Sequence, residues 1–216
     1  MSHQSSRQAT YADKRNVLNK SYLVEPIIRH RIQDSLFYKQ FLYLSNEETV
    51  LPVIVNNVKY IGGVDLNGKP SPFLCCLLRL LELEPSPEVI EAYLEPEVFQ
   101  ELKYLGALVL LYIRIAWSSK EVYQALEKYY TDFRKLRVQL KSPIMRNNLP
   151  CLYSISFMDV WIDDLLRKER QVDIILPRLV LRGLLEERGL LEPLLSHYQF
   201  EESQSHESLE QEIDSD

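Results

Sequence analysis

The most constraining feature of this sequence is an apolar run at 104–113 that contains no charged side chain and lies between Lys103 and Arg114. A helix that spans a membrane needs about 20 apolar residues, so this run is too short to cross a bilayer. The hydrophobic effect instead favours a position inside a protein core, where a helix satisfies its own backbone hydrogen bonds. The run therefore predicts a helix that is buried on all sides, with the rest of the chain folded around it.

The length and composition of the chain are those of one globular domain. The chain has 216 residues, of which 46% are hydrophobic and 26% are charged. One domain takes roughly 100–200 residues and, at this size, buries about 70% of the surface that its unfolded chain exposes. A core that can enclose a helix is therefore available, and the composition excludes collagen, a disulfide scaffold and a wholly disordered chain.

Apolar residues recur at helical spacing over most of the chain, and capping signals mark several helix starts. Ser71 and Ser86 each precede a proline, which combines a hydroxyl cap with a residue that suits the first helical turn. Ser45 followed by Glu48 matches a capping box, and Ser119 is a further candidate cap. The predicted helices start at about residue 24, cover 45–58, start at 71, and cover 86–94, 96–118, 119–140 and 158–168, with two short helices or one kinked helix at 172–185.

Two segments lack the helical pattern. Residues 60–70 are rich in glycine, and residues 141–155 contain two prolines and two asparagines, so both predict loops. Residues 152–157 alternate between apolar and polar side chains, which indicates one short strand or hairpin arm. The predicted fold is all-α: a single multi-helix domain with at most a small β-hairpin, flanked by disordered tails.

The net charge of −6 is concentrated at the C-terminal end. Residues 201–216 carry seven carboxylates and no Lys or Arg, which leaves residues 1–200 at a net +1. A like-charged polar segment cannot bury enough apolar surface to fold. We therefore predict a flexible N-terminal arm at 1–20, a helical domain at 21–196 and an acidic disordered tail at 197–216. The nearly neutral body is not typical of a bulk nucleic-acid binder.

The cysteines and histidines do not form the pattern of a metal or catalytic site. Cys75 and Cys76 are adjacent in an apolar run and Cys151 stands apart, so the odd number fits no disulfide framework and indicates the cytosol or nucleus. None of the four histidines has zinc-ligand spacing to a cysteine. We predict no metal, no cofactor and no catalytic residue, and the polar N-terminus predicts no signal peptide.

The loop at 60–70 contains a near match to a nucleotide-binding motif. Gly63, Gly68 and Lys69 fit the phosphate-loop pattern G-x-x-x-x-G-K-[ST], but Pro70 replaces the hydroxyl that would hold magnesium. A nucleotide-binding enzyme is one hypothesis for this loop. The alternative, which we favour, is a tight turn in which Gly62, Gly63 and Gly68 supply positive φ angles.

A basic cluster is the first candidate for partner binding. The segment 119–146 holds seven bases against three acids, and several of its side chains fall on one stripe of the predicted helix. Such a stripe is suited to RNA phosphates or to an acidic partner helix, whereas the alternative is a solvated helix face. The candidate residues are Tyr130, Arg134, Lys135, Arg137 and Lys141.

An acidic cluster is the second candidate. Asp159 and Asp163 are four residues apart on a predicted helix and therefore share a face, and Asp163 has Arg167 as an i+4 ion-pair partner. A solvated or partner-facing surface is more typical of this pattern than a catalytic carboxylate pair. Together with Asp164, these residues are candidates for binding a basic partner.

Five segments resemble the pre-mRNA-splicing factor 38 family and together span 22–188. They are YLVEPIIRHRI at 22–32, IGGV at 61–64 with KPSPFLC at 69–75, YLGA at 104–107, YTDFRK at 130–135 and DIILPRL at 173–179. The resemblance implies that the near match to a phosphate loop belongs to the family framework and binds no nucleotide. One departure is the acidic tail, because longer animal members of the family end in an Arg/Ser-rich tail.

The resemblance implies a largely helical, non-catalytic scaffold of the spliceosomal U4/U6.U5 tri-snRNP in the nucleus. Such a scaffold is required when the precatalytic spliceosome is activated for pre-mRNA splicing. The implied partners are other tri-snRNP and B-complex proteins, which contribute short helical or extended segments, and RNA could be contacted within the assembled spliceosome. No membrane and no small-molecule substrate is implied. Direct RNA binding by the basic helix 119–146 is the alternative function.

Overall fold

The structure is a computed structural model that describes residues 17–193. The described residues up to Leu179 belong to one compact unit and those from Val180 belong to a second; the helical domain at 21–196 stays a prediction. The predicted acidic tail and most of the predicted N-terminal arm lie outside the described residues. Residues 17–20 of that arm contact the helical body, because Asn19 Nδ2 donates to the Glu82 carbonyl and the Lys20 N–H donates to Glu84.

Most of the described regular structure is helical. The α-helices are α1 (Pro26–Asp34), α2 (Glu47–Asn57), α3 (Pro72–Leu83), α4 (Pro87–Ala92), α5 (Pro96–Glu101), α6 (Lys103–Ala116), α7 (Ser119–Leu126), α8 (Met158–Arg167) and α9 (Arg182–Glu187). The 3₁₀ helices are Lys20–Leu23 and Glu127–Tyr129, and a π-helix covers Tyr38–Leu42. The strands are β1 (Lys135–Arg146), β2 (Leu149–Phe157), β3 (Arg170–Gln171) and β4 (Ile174–Ile175). Two antiparallel pairs, β1–β2 and β3–β4, make the all-α prediction an overstatement.

The core is built around α3 and α6. Every residue of α6 from Leu105 to Ala116 is buried, which confirms the helix that the uncharged run predicts. Eight of the twelve residues of α3 are buried as well, among them Cys75 and Cys76. Burial of this apolar surface drives the two helices into the interior, and the other helices of the unit surround them.

The capping signals are confirmed at α3 and α4, where Ser71 and Ser86 are the N-cap residues, and are shifted by one residue at α2 and α7. The Ser71 hydroxyl accepts the Leu74 N–H at the start of α3. At α2 the cap is Asn46 rather than Ser45, because Ser45 is buried and its hydroxyl donates to the Leu42 carbonyl. At α7 the cap is Ser118, one residue before the predicted one, and the Glu121 side chain completes a capping box.

The predicted helix 96–118 is two helices, α5 and α6, because Leu102 leaves the helical conformation with φ −109° and ψ 58°. The turn folds α5 back so that the Phe99 ring lies against Gly106. A Cβ on Gly106 would stand 2.4 Å from the Phe99 ring, so glycine is needed for this close approach. Because of the break at Leu102, α5 and α6 pack against each other instead of forming one long helix.

The helix predicted at 119–140 is confirmed only as far as Leu126, and the loop predicted at 141–155 is wrong. The helix ends at Leu126, and residues 135–157 form a β-hairpin with pairs from Lys135–Phe157 to Arg146–Leu149. Asn147 and Asn148 make its turn with φ angles of 50° and 63°, which asparagine tolerates better than most residues. Between Gln139 and Ile144 the register shifts through a bulge on β1. Ile61 pairs with Val138 from the body of the unit.

The helical prediction for 172–185 is also wrong over most of its length. Val172 and Asp173 have φ angles of 44° and 66° and form the turn between β3 and β4. This turn has the two consecutive positive φ angles of a hairpin connection, so the chain cannot continue as a helix there. The second unit contains α9, in which Arg182 and Glu186 form an i,i+4 ion pair and Gly189 follows the end of the helix with φ +66°.

Candidate protein-interaction surfaces

The loop at 60–70 uses its backbone donors inside the chain. The Asp65 carboxylate accepts the N–H groups of Asn67 at 2.9 Å and Lys69 at 2.8 Å, and the Gly68 N–H donates to the Asp65 carbonyl. The aspartate therefore occupies the place that a phosphate takes in a nucleotide-binding loop, which argues against the nucleotide hypothesis. Only Gly68 among the three loop glycines has a positive φ, at +78°.

Asp173 ties this loop to the β1–β2 hairpin. Its Oδ2 accepts the Val64 N–H at 2.8 Å, and its Oδ1 accepts from Lys141 Nζ at 2.7 Å. Gly63 makes this contact possible, since a Cβ there would stand 2.2 Å from Asp173 Oδ2 and 2.9 Å from the Val172 backbone. Lys141 is thus engaged within the chain.

The Asp173 contacts predict a pH dependence of stability. Burial alone would raise the pKa of Asp173, but the hydrogen bonds from Lys141 and the Val64 N–H outweigh it and hold the pKa below the ordinary value of an aspartate. A folded-state pKa below the unfolded value stabilises the fold at neutral pH, and this stabilisation is lost as the pH falls below about 4. We expect the difference in urea midpoint between wild type and Asp173→Asn to be largest at pH 7 and to shrink at acid pH. A constant difference across this range would contradict the assignment.

Arg134 holds the chain together internally. Its Nε and Nη2 bond the Asp132 carboxylate at 2.9 Å and 2.6 Å, and its Nη1 donates to the carbonyls of Phe99 and Gln100 at the end of α5. These bonds outweigh burial and lower the pKa of Asp132. Three nitrogens of Arg134 are therefore committed to satisfying a helix end and one carboxylate, which leaves little for a partner.

Tyr130 and the acidic candidates are also held within the chain. Burial, assisted by the charge of Asp163, raises the pKa of Tyr130. The expected pair of Asp163 with Arg167 is present at 2.7 Å, and Asp164 accepts from Lys168 at 2.7 Å and from Gln171 at 2.9 Å. Asp159 stands at the start of α8, and its Oδ1 is buried without a hydrogen-bond partner among residues 17–193. The three aspartates do lie on one helix, but two are already paired with bases.

The remaining candidates lie on the β1–β2 hairpin, on an exposed surface of cations and apolar side chains. Lys135 and Arg137 are exposed on β1, and within the described chain neither side chain has an ion-pair partner. We name as the hairpin surface these two cations together with the apolar residues of the hairpin that are at least half exposed: Ile144, Met145, Leu149, Leu152 and Ile155.

A second exposed surface surrounds the π-helix. Tyr38 and Leu42 are buried on one side of this turn, whereas the other side is open to solvent. A cavity of about 600 Å³ adjoins it, lined in part by Tyr38, Tyr43 and Arg79. We name as the π-helix patch the large apolar residues exposed here: Leu36 (70%), Phe41 (49%), Tyr43 (64%) and Leu44 (90%). Apolar patches of this kind on a soluble domain are typical of protein-binding sites.

Neither a metal centre nor a reactive thiol at Cys75 finds support in the described part of the structure. No group of His, Cys, Asp and Glu side chains within residues 17–193 is placed to hold a metal ion. Burial raises the pKa of the Cys75 thiol to about 11, so this thiol is unreactive at neutral pH. Of the helices that the structure describes, none combines the length and the apolar character of a membrane span.

Sequence reasoning located the charges of the hairpin surface but missed its apolar residues. Residues 152–157 alternate and indicate a strand, whereas residues 141–151, which contain part of the bulge and the turn, carry no such alternation. The π-helix patch is hard to recognise in the sequence because Leu36 continues the helical spacing of Ile28 and Ile32, which are buried on α1. Its signal was the closeness of Leu36, Phe37, Phe41 and Leu44 in sequence, which exceeds what one buried stripe of a helix can hold.

Comparisons with known proteins cover nearly the whole described chain. The sequence model of the PRP38 family matches residues 13–189. Pre-mRNA-splicing factor 38 of Schizosaccharomyces pombe is 38% identical over 176 residues, which are 82% of this chain and 78% of the relative. Pre-mRNA-splicing factor 38A of Danio rerio is 38% identical over 179 residues, 82% of this chain and 53% of the relative. The chain thus spans about half the length of the animal relatives that it matches.

A solved structure shares the fold. A chain in the crystal structure of the Snu23-Prp38-MFAP1(217-258) complex of Chaetomium thermophilum superimposes with a TM-score of 0.76 at 37% identity. The match covers 88% of this chain and 97% of that chain.

Proposed function

The chain belongs to the PRP38 family, and we propose that it acts as a non-catalytic interaction scaffold of the U4/U6.U5 tri-snRNP in pre-mRNA splicing. In this role it binds other spliceosomal proteins in the nucleus and is required when the precatalytic spliceosome is activated. Its relatives are splicing factors. The proposed partners are tri-snRNP and B-complex proteins that contribute short helical or extended segments.

The observation that carries this proposal is the likeness to a chain of a protein complex. That chain is part of the Snu23-Prp38-MFAP1(217-258) complex, and the match covers 97% of that chain. Nearly all of that chain therefore has a structural counterpart here. At 37% identity, the surfaces of the two proteins differ enough for partner segments to differ in sequence.

The geometry supports protein binding more than catalysis. The hairpin surface and the π-helix patch expose apolar side chains that a partner would remove from water, which favours association. Direct RNA binding receives less support, because Arg134 forms an ion pair with Asp132 and Lys141 forms one with Asp173. The exposed hairpin cations without an ion-pair partner among residues 17–193 are Lys135, Arg137 and Arg146, which are few compared with the basic stripe of an RNA-binding domain.

The proposal is tested by affinity purification of the tagged full chain from nuclear extract at moderate salt. We expect the U4, U5 and U6 RNAs and tri-snRNP proteins to co-purify with the tagged chain, and to stay bound to it when the extract is diluted. The matched control is the Gly63→Ala variant. Because we expect its fold to be weakened, it tests whether recovery depends on the folded chain. Recovery of the folded protein without these RNAs and proteins would contradict the proposed role.

The π-helix patch supplies a variant for the same experiment. We expect Phe41→Ser together with Leu44→Ser to reduce the recovery of tri-snRNP proteins about tenfold, since loss of two apolar anchors costs more than 1 kcal/mol at an interface. Leu66→Ser is the control, because Leu66 is as exposed as Leu36 but lies in the loop at 60–70. Circular dichroism checks that both variants fold. Equal recovery with both variants would exclude the patch as a binding site.

A further inference from the structure

The edge of β1 that faces away from β2 is bonded at residues 135–139 to the body of the unit. Ile61 donates to the Arg137 carbonyl and accepts the Gln139 N–H, both at 2.8 Å. The Tyr104 hydroxyl accepts the Arg137 N–H at 3.1 Å, and Lys103 Nζ donates to the Lys135 carbonyl at 2.7 Å. The backbone groups of Lys135, Arg137 and Gln139 therefore point away from β2.

The direction of these β1 backbone groups determines which backbone groups of β2 have no hydrogen-bond partner in β1. In an antiparallel pair, facing residues alternate between those that exchange backbone hydrogen bonds and those that do not. Because Arg137 turns away from β2, its pair Ile155 turns its N–H and C=O away from β1, and so does Tyr153, the pair of Gln139. No strand of the described chain lies on that side of β2. Among residues 17–193, only Cys151 Sγ, at 3.2 Å from the Tyr153 carbonyl, contacts these groups.

The open edge lacks the features by which proteins protect such strands. Edge strands are usually shielded by charged residues, by proline or by a covering segment, since free backbone groups are a template for another strand. β2 contains no charged residue, and its one proline, Pro150, lies beside the turn. Ile155 is 60% exposed and Leu152 is 51% exposed on this strand. The edge therefore offers both backbone hydrogen bonds and apolar surface.

The charge of the hairpin selects the kind of strand that fits this edge. Residues 135–157 contain four cations and no carboxylate. Lys141 is paired with Asp173, whereas Lys135 and Arg137 lie on the same face as Phe157 and Ile155, their partners in the register. A second copy of this hairpin would bring like charges together, which disfavours self-pairing. An acidic segment would meet complementary charge.

We propose that the free edge of β2 binds an extended segment of a partner protein as a third strand, with alternating apolar and acidic side chains. Backbone hydrogen bonds to Tyr153 and Ile155 would supply affinity, as in other cases of strand addition. The acidic side chains would face Lys135 and Arg137. This inference rests on the protein-binding role proposed above and assigns one of its surfaces.

The test uses the full chain and a fluorescein-labelled peptide of alternating valine and glutamate that is long enough to span β2. We expect the peptide to bind in fluorescence anisotropy, and the same peptide N-methylated at alternate residues not to bind. We expect Ile155→Pro to weaken binding about tenfold, because it removes an outward N–H donor. That N–H makes no bond to β1, so the hairpin ladder is retained. Ile155→Ala keeps the N–H and is the matched control.

Several outcomes would overturn the inference. Equal binding of the plain and N-methylated peptides would exclude backbone pairing without relying on any variant. Tighter binding of a valine–lysine peptide, or of a uridine oligonucleotide at the same surface, would exclude an acidic strand. Dimerisation of wild type that Ile155→Pro abolishes would make the occupant a second copy. Absence of peptide binding while tri-snRNP proteins co-purify with the chain would remove this inference and leave the proposed function standing.

Discussion

Replacing Arg114 by methionine is expected to lower the free energy of unfolding by about 3 kcal/mol, because two charge-assisted hydrogen bonds inside the core are lost. Arg114 lies in α6 and is 3% exposed. Its Nε donates to the Leu165 carbonyl and its Nη1 to the Pro177 carbonyl, each at 2.7 Å. Leu165 is in the last turn of α8, where carbonyls lack helical partners, so the guanidinium also balances the negative end of that helix.

Methionine keeps the unbranched apolar stem of arginine and removes the guanidinium, so the experiment reports chiefly the loss of the donors. The measurement is urea unfolding of the full chain, in which the midpoint reports stability when the slope is unchanged. Arg137→Met is the control, because Arg137 is exposed on β1 and surface substitutions usually change stability by less than about 0.5 kcal/mol. If the two variants unfold at the same urea concentration, the buried arginine does not have the role assigned to it.

The second large effect is expected for Gly63→Ala, at about 2–3 kcal/mol of destabilisation. The added Cβ would stand 2.2 Å from Asp173 Oδ2 and 2.9 Å from the carbonyl of Val172. Asp173 would have to move, and with it the bonds to the Val64 N–H and to Lys141. The φ angle of Gly63 is not positive, so the effect is one of space and not of backbone conformation.

Gly183→Ala is the matched control for this substitution. A Cβ at Gly183, which lies in α9, meets nothing within 4 Å. Alanine is a better helix former than glycine, so this variant is expected to unfold at the same or a higher urea concentration, by at most about 1 kcal/mol. A Gly63→Ala protein as stable as the Gly183→Ala protein would show that the loop at 60–70 adjusts freely to the side chain.

The helices at the centre of the fold were predictable because their causes are local. The uncharged run that became α6 and the Ser71 cap of α3 are read from neighbouring residues, and both are confirmed. The β1–β2 hairpin was not predictable in this way. Leu136 fits the helical stripe that begins at Val122 and also the alternating pattern of a strand. The choice is made by pairing with residues 149–157 and with Ile61, which are distant in sequence.

The candidate binding residues could be predicted only in part, because the contacts of each charged side chain also depend on residues that are distant in sequence. Counting charges in the segment 119–146 found the cations, but not which of them are engaged inside the molecule. Arg134 is held by the carbonyls of Phe99 and Gln100, and Lys141 by Asp173. Only the tertiary structure brings these groups together, so only it separates them from Lys135 and Arg137, which remain available to a partner.

The burial of α6 on all sides has a consequence for how chains of this fold diverge. Each side chain from Leu105 to Ala116 has neighbours in every direction, so a substitution there must keep its volume or be matched by a second change. The hairpin surface and the π-helix patch carry no such requirement. Divergence is therefore directed to these two proposed binding surfaces, and descendants of one ancestor can exchange partners while their interiors stay alike.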